Sequence, residues 1–171
     1  MKFRTFFLAY MLIAPAVSIT DAAAETRPAG YYLSIDEGSA GSEALLRGDY
    51  AAAIDAAQGA SRAGRNLSAY LTLCAAYIRS NALESAVAAC DKAVELASTP
   101  VTTLRNPYGR TNREALAKAY LNRGVLRMAQ GEIEAANADF ERALDQDREL
   151  EAVRHNLRLN ESRLALVQQR K

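Results

Sequence analysis

The residues best suited to chemistry are few and poorly grouped. The chain has one histidine, His155, and two cysteines, Cys74 and Cys90. A structural zinc site takes four Cys or His ligands, so these three cannot complete one. The cysteines stand far apart in sequence, with no C-x-x-C pair of the kind that supports thiol redox catalysis. His155 stands beside Arg154 and Arg158, a setting for a solvated or packing imidazole rather than a general base with a nucleophile to activate. Serines are scattered, with neither a G-x-S-x-G elbow nor a glycine-rich phosphate cradle. Glu132, Glu134, Asp139 and Glu141 are close in sequence, but their spacing reads as the polar face of a helix. No nucleophile–base set emerges, so the expectation is a protein that binds rather than catalyses, with no cofactor and no metal.

The elements around these residues read as helices. Of the 171 residues, 35 are alanine and none is tryptophan; half are hydrophobic and 24% charged. That composition builds a core and favours close-packed helices over a sandwich or barrel. A net charge of +1 excludes a nucleic-acid binder that works through bulk positive charge. Residues 1–24 have the three parts of a secretory signal: basic Lys2 and Arg4, an uncharged run from Phe6 to Val17, and small residues Ala22–Ala24. The run is shorter than the ~20 residues of a membrane-spanning helix. Cleavage after about Ala24 is expected; the alternatives are a cut after Ala16, an uncleaved anchor, or a buried N-terminal helix. The expected location is periplasmic or secreted, with no stable membrane anchor. Cleavage after Ala24 takes the 21 basic and 20 acidic residues to 19 each.

Self-similarity organises the rest. Gly48-Asp49-Tyr50-Ala51-Ala52-Ala53, Asn81-Ala82-Leu83-Glu84-Ser85-Ala86 and Gly131-Glu132-Ile133-Glu134-Ala135-Ala136 share one pattern: turn residue, spacer, apolar residue, then Ala three positions on. The step from Ala53 to Ala86 is one repeat unit of about 34 residues. The step from Ala86 to Ala136 is one such unit plus an inserted stretch. Each unit reads as helix, tight turn, helix. Asn81 with Glu84 and Thr111 with Glu114 have capping-box spacing, which places helix starts there.

The units resemble tetratricopeptide repeats, with W-x2-L-G-x2-Y in the first helix and A-x3-F in the second. Tyr70, Leu73, Cys74, Tyr77, Ala86 and Cys90 carry the likeness in the middle unit, and Tyr120, Gly124, Ala136, Phe140 and Ala143 in the last. Arg123 and Arg127 depart from the family's Leu and Tyr, leaving less apolar contact in that hairpin. The fold expected is an all-α short solenoid of such hairpins: an N-terminal extended segment over 25–38, repeats over 39–150 (units about 39–66, 67–100 and 113–150, with loop 101–112), and a capping helix over 151–171. Gly38 and Gly41 weaken the first unit's leading helix. Val153, Leu157, Leu164 and Val167 form the expected apolar stripe of the cap.

In this alignment Cys74 and Cys90 replace residues that face the partner helix, level with each other about 12 Å from the turn. A disulfide is one reading and two buried free thiols the other. The resemblance also implies that first helices line a concave groove: Leu71, Ala75, Ile78 and Arg79, then Lys118, Leu121, Asn122, Val125 and Met128. Leu71 and Leu121 occupy one lysine position, and Ala75 and Val125 an asparagine position, of the set with which chaperone-binding relatives grip a terminal carboxylate. The expectation is apolar capture of a helix or extended segment, unless the chain's own terminal segments cover these residues and make them core. Arg105, Tyr108 and Arg110 in the inserted loop, with Arg113 after it, form a second candidate contact surface. The function expected is a non-enzymatic adaptor or assembly factor of the bacterial cell envelope, with another envelope protein or peptide as partner and no nucleic acid. The alternatives are a self-associating homodimeric scaffold and, behind it, an enzyme of unknown type.

Overall fold

A computed structural model describes residues 30–64, 66–100 and 112–169. The expected signal segment and the loop residues Arg105, Tyr108 and Arg110 lie outside the described residues. The fold is all-helical: α1 Ser42–Leu46, α2 Tyr50–Arg62, α3 Leu67–Arg79, α4 Leu83–Ser98, α5 Arg113–Ala129, α6 Ile133–Gln146 and α7 Glu151–Gln168. Successive helices pack antiparallel as a short solenoid, with α1/α2, α3/α4 and α5/α6 as hairpins and α7 closing the end. No helix among the described residues is long and apolar enough to cross a membrane.

The repeated sequence positions recur as repeated geometry. Gly48, Asn81 and Gly131 all adopt left-handed backbone (φ 80°, 61° and 80°) at the turn inside each hairpin, a conformation only Gly, and to a lesser degree Asn, takes cheaply. Ala53, Ala86 and Ala136 are fully buried where the two helices of each hairpin meet. At Gly124 a Cβ would lie 2.5 Å from the Phe140 ring, so the α5–α6 approach depends on having no side chain there. Asp49, Asn66 and Asn112 cap α2, α3 and α5, each side chain accepting a hydrogen bond from the backbone three residues on at 3.1 Å. The capping box expected at Asn81 does not form. Asn81 is used by the left-handed turn, its N–H bonding the Ile78 carbonyl, and Ala82 stands at the N-cap of α4 without a side-chain bond. Thr111 lies outside the described residues, and α5 is capped by Asn112 instead.

Cys74 on α3 and Cys90 on α4 are joined as a disulfide with Cα atoms 4.8 Å apart, both fully buried. The bond ties the middle hairpin in its core, level across the turn.

Asp139 needs a correction. It belongs not to a solvated face but to the interior, fully buried on α6. Arg123 meets it with two hydrogen bonds (Nε–Oδ2 2.8 Å, Nη2–Oδ1 2.9 Å), and Arg127 and Arg142 reach it at 2.8 and 3.0 Å. Arg123 and Arg127, which stand where the resemblance implies Leu and Tyr, thus converge on one carboxylate, and charge-assisted hydrogen bonding replaces apolar contact there. The bonds to Asp139, helped by its charge and by Asp91, raise the pKa of Arg123 despite its partial burial.

Candidate functional site: an occupied concave face

The first helices α3, α5 and α7 line the concave face, and the extended segment Tyr31–Asp36, followed by a turn to Ser39, lies along it. At the α7 end, the His155 Nε2 is 2.8 Å from the Gly30 carbonyl. Asn156 then brackets Tyr32: its Oδ1 accepts from the Tyr32 N–H and its Nδ2 donates to the Tyr32 carbonyl, both at 2.8 Å. Asn122 on α5 does the same to Ser34, at 2.8 and 2.7 Å. Asp36 ends the run, accepting from Lys118 Nζ at 2.9 Å and from Ser68 Oγ at 2.6 Å. Ser39 and Thr72 share a hydroxyl–hydroxyl bond of 2.9 Å. The segment therefore crosses from α7 over α5 to α3, and two side-chain amides satisfy main-chain groups that no neighbouring strand pairs.

Between these polar contacts, alternate side chains point inward. Tyr31 is 2% exposed, stacked on Phe140 at 6.2 Å between ring centroids, with the Arg163 guanidinium over its face at 5.4 Å. Burial pushes its phenol upward in pKa, partly countered by Arg163. Leu33 packs on the main core. Leu33 and Ile35 also wall a hollow of about 280 Å³, with Leu45, Leu46, Tyr50 and Arg79 on other sides. Burial acts to raise the Asp36 pKa, but the hydrogen bonds from Ser68 and Lys118 and the Lys118 charge outweigh it and hold the carboxyl below its ordinary range. Lys118 is lowered by burial and raised more strongly by Glu114 and Asp36, so its pKa lies above the usual value.

Of the residues assigned to the groove, Leu71, Ala75, Ile78, Leu121, Asn122, Val125 and Met128 are buried, Lys118 is half-buried and Arg79 is exposed. Leu71 packs with Ala93, Val94 and Leu116 between helices. Ile78, Leu121, Val125 and Met128 belong to the same core as Tyr31. The open alternative, in which the chain's own terminal segment covers the face, is the arrangement observed. The available chemistry is consequently not a bare apolar groove but amide side chains that read a main chain. Sequence reasoning missed Asn156, assigning α7 a plain apolar stripe. The signal lay in the spacing. Asn122 and Asn156 are one repeat unit apart, about 34 residues. Thr72 and Asn122 are related by the longer interval that joins Ala86 to Ala136, as are Ser68 and Lys118, which both bind Asp36. Arg113 contacts the Asp145 carbonyl at 2.6 Å. Among the described residues no group of three His, Cys, Asp or Glu side chains could hold a metal ion.

This geometry is a short helical solenoid, similar in fold to tetratricopeptide-repeat domains. Residues 117–150 match the family model described as tetratricopeptide repeat. No curated protein matches the chain. Among solved structures, the first TPR domain of the human RPAP3 protein is 27% identical, with TM-score 0.61 over 75% of this chain and 90% of that one. The first TPR of Spaghetti (RPAP3), bound to the HSP90 peptide SRMEEVD, is 28% identical, with TM-score 0.59 over 73% and 89%.

Proposed function

We propose that this chain is an exported, non-enzymatic interaction module of the bacterial cell envelope, an adaptor or assembly factor whose concave face holds an extended polypeptide segment. The observation that carries the reading is the paired bracketing of Tyr32 and Ser34 by Asn156 and Asn122. Two amides repeated at one register position supply donors and acceptors for any extended main chain laid between them. A relative of the same fold holds a peptide, which supports the class of ligand. The signal-like residues 1–24 and the Cys74–Cys90 disulfide support export, since such a bond persists in an oxidising compartment.

The test is capture from envelope extract by the intact chain and by an Asn122→Ala, Asn156→Ala variant. Substitutions at Leu121 or Val125 are unsuitable, because both are core residues whose change to Asp would unfold the domain. A partner held by the intact chain and lost by the variant supports the reading. Equal recovery of every captured protein removes the concave face from it.

A further inference from the structure

We infer that the segment Tyr31–Asp36 is a built-in occupant of the concave face, displaced by a partner segment of the same chemistry: aromatic, spacer, aliphatic, spacer, aliphatic, acid. The inference rests on the proposed function and names the partner and its control. The docked arm is itself the record of what the face accepts. Asn122 and Asn156 bind only its main chain, and the spacers contribute less: Tyr32 is 55% exposed with its ring beside His155 at 4.5 Å between centroids, and Ser34 is half-buried. Selection falls on the inward residues: Tyr31 on Phe140, then Leu33 and Ile35 beside a hollow with room for larger groups, then Asp36 between Lys118 and Ser68.

These contacts join the arm to α3, α5, α6 and α7, with Leu45, Leu46 and Tyr50 of α1 and α2 across the hollow; none is internal to the arm, so a separate chain can make every one of them in trans. The arm is tied to α1 through a short turn holding Gly38 and Gly41, both left-handed (φ 73° and 82°). Such a tether gives an effective concentration of roughly 1 mM, so a free peptide of ~50 µM intrinsic affinity binds about twenty-fold more weakly while the arm is docked. The arm is also an imperfect ligand. Among the described residues the buried Tyr31 hydroxyl has no hydrogen-bond partner, a cost that a phenylalanine in that place avoids.

The test uses the full chain and a fluorescent peptide of sequence Gly-Tyr-Tyr-Leu-Ser-Ile-Asp-Glu, read by anisotropy. Asp36→Lys, which sets a cation against Lys118, releases the arm in one variant; Tyr31→Ala releases it in a second, and circular dichroism verifies the helices of both. The released chains are expected to bind the peptide at least tenfold more tightly than the intact chain. A Phe at the first aromatic position should bind several-fold better, and a Lys at the acid position at least tenfold worse. Equal peptide binding by intact and released chains, or none by released chains of native helicity, overturns the inference. In the second case an envelope protein still captured by the intact chain leaves the proposed function standing without it. Peptide binding with no captured protein supports the arm's role and removes the envelope reading. Dimers of the intact chain that exchange labelled arms assign the face to a second copy and overturn the separate partner.

Discussion

Asn122 on α5 and Asn156 on α7 make the same two hydrogen bonds to residues two apart on one extended segment, Ser34 and Tyr32. A helical repeat of about 34 residues is thereby matched to the two-residue period of an extended chain. The pairing makes the N-terminal segment part of the solenoid.

Asn156→Ala removes one of the two brackets. Two hydrogen bonds at about 1 kcal/mol each set an expected loss near 2 kcal/mol, limited by the free energy of docking the arm, since an undocked arm returns its amides to water. Amide exchange should accelerate at Tyr32 and Ser34 while α3–α4 amides keep their protection. Unchanged exchange at Tyr32 would contradict the assignment.

Asp139→Ala leaves three arginines around an empty site, Arg123 and Arg127 among them. Breaking a buried ion cluster by removing one partner costs about 3–5 kcal/mol, which lowers the melting temperature by roughly 10 °C in a domain of this size. The triple variant Asp139→Leu, Arg123→Leu, Arg127→Tyr removes charge from both sides and should regain most of that loss, as read by thermal melting.

Arm docking depends on pH at both ends of the range. The Asp36 carboxyl is held below its ordinary value when docked, so its contribution is complete above the free value of about 3.9. That contribution is lost as pH falls through the lower docked value. Lys118 is raised by Glu114, on its own helix, and by Asp36; the Asp36 part belongs to docking and is lost as pH rises through the docked value, above the usual value of about 10.4. Arm amide exchange followed against pH should show docking flat from about 5 to 9, with an acid limb that Asp36→Asn abolishes.

Reduction of the Cys74–Cys90 bond opens a loop with a sequence separation of 16, for which the chain-entropy model gives about 3 kcal/mol. The denaturant midpoint should fall with reductant, and a Cys74→Ala, Cys90→Ala variant should match the reduced protein and be insensitive to reductant.

Gly124→Ala should destabilise. The added Cβ meets the Phe140 ring at 2.5 Å, an overpacking cost of about 1–3 kcal/mol against roughly 1 kcal/mol gained in helix propensity. Phe140→Leu in the same chain should relieve the clash, measured as a partial recovery of the melting temperature.

The helices, their hairpin pairing and the turn residues were legible because each depends on local pattern: Ala at the crossings, Gly or Asn where the backbone turns left-handed, and a regular repeat interval. The pairing of Cys74 with Cys90 remained one of two readings in the sequence, because spacing brings the thiols level without deciding between bond and free thiols. The tertiary structure alone decided what fills the concave face. Residues 30–39 carry no helical period, and an extended segment has no partner legible along the sequence when its hydrogen bonds go to side chains 88 and 124 residues away. The same holds for Asp139, whose burial follows from three arginines that converge only after α5 and α6 pack. Local periodicity determines elements; long-range satisfaction of main-chain and charged groups determines which face remains open, and that is settled by packing.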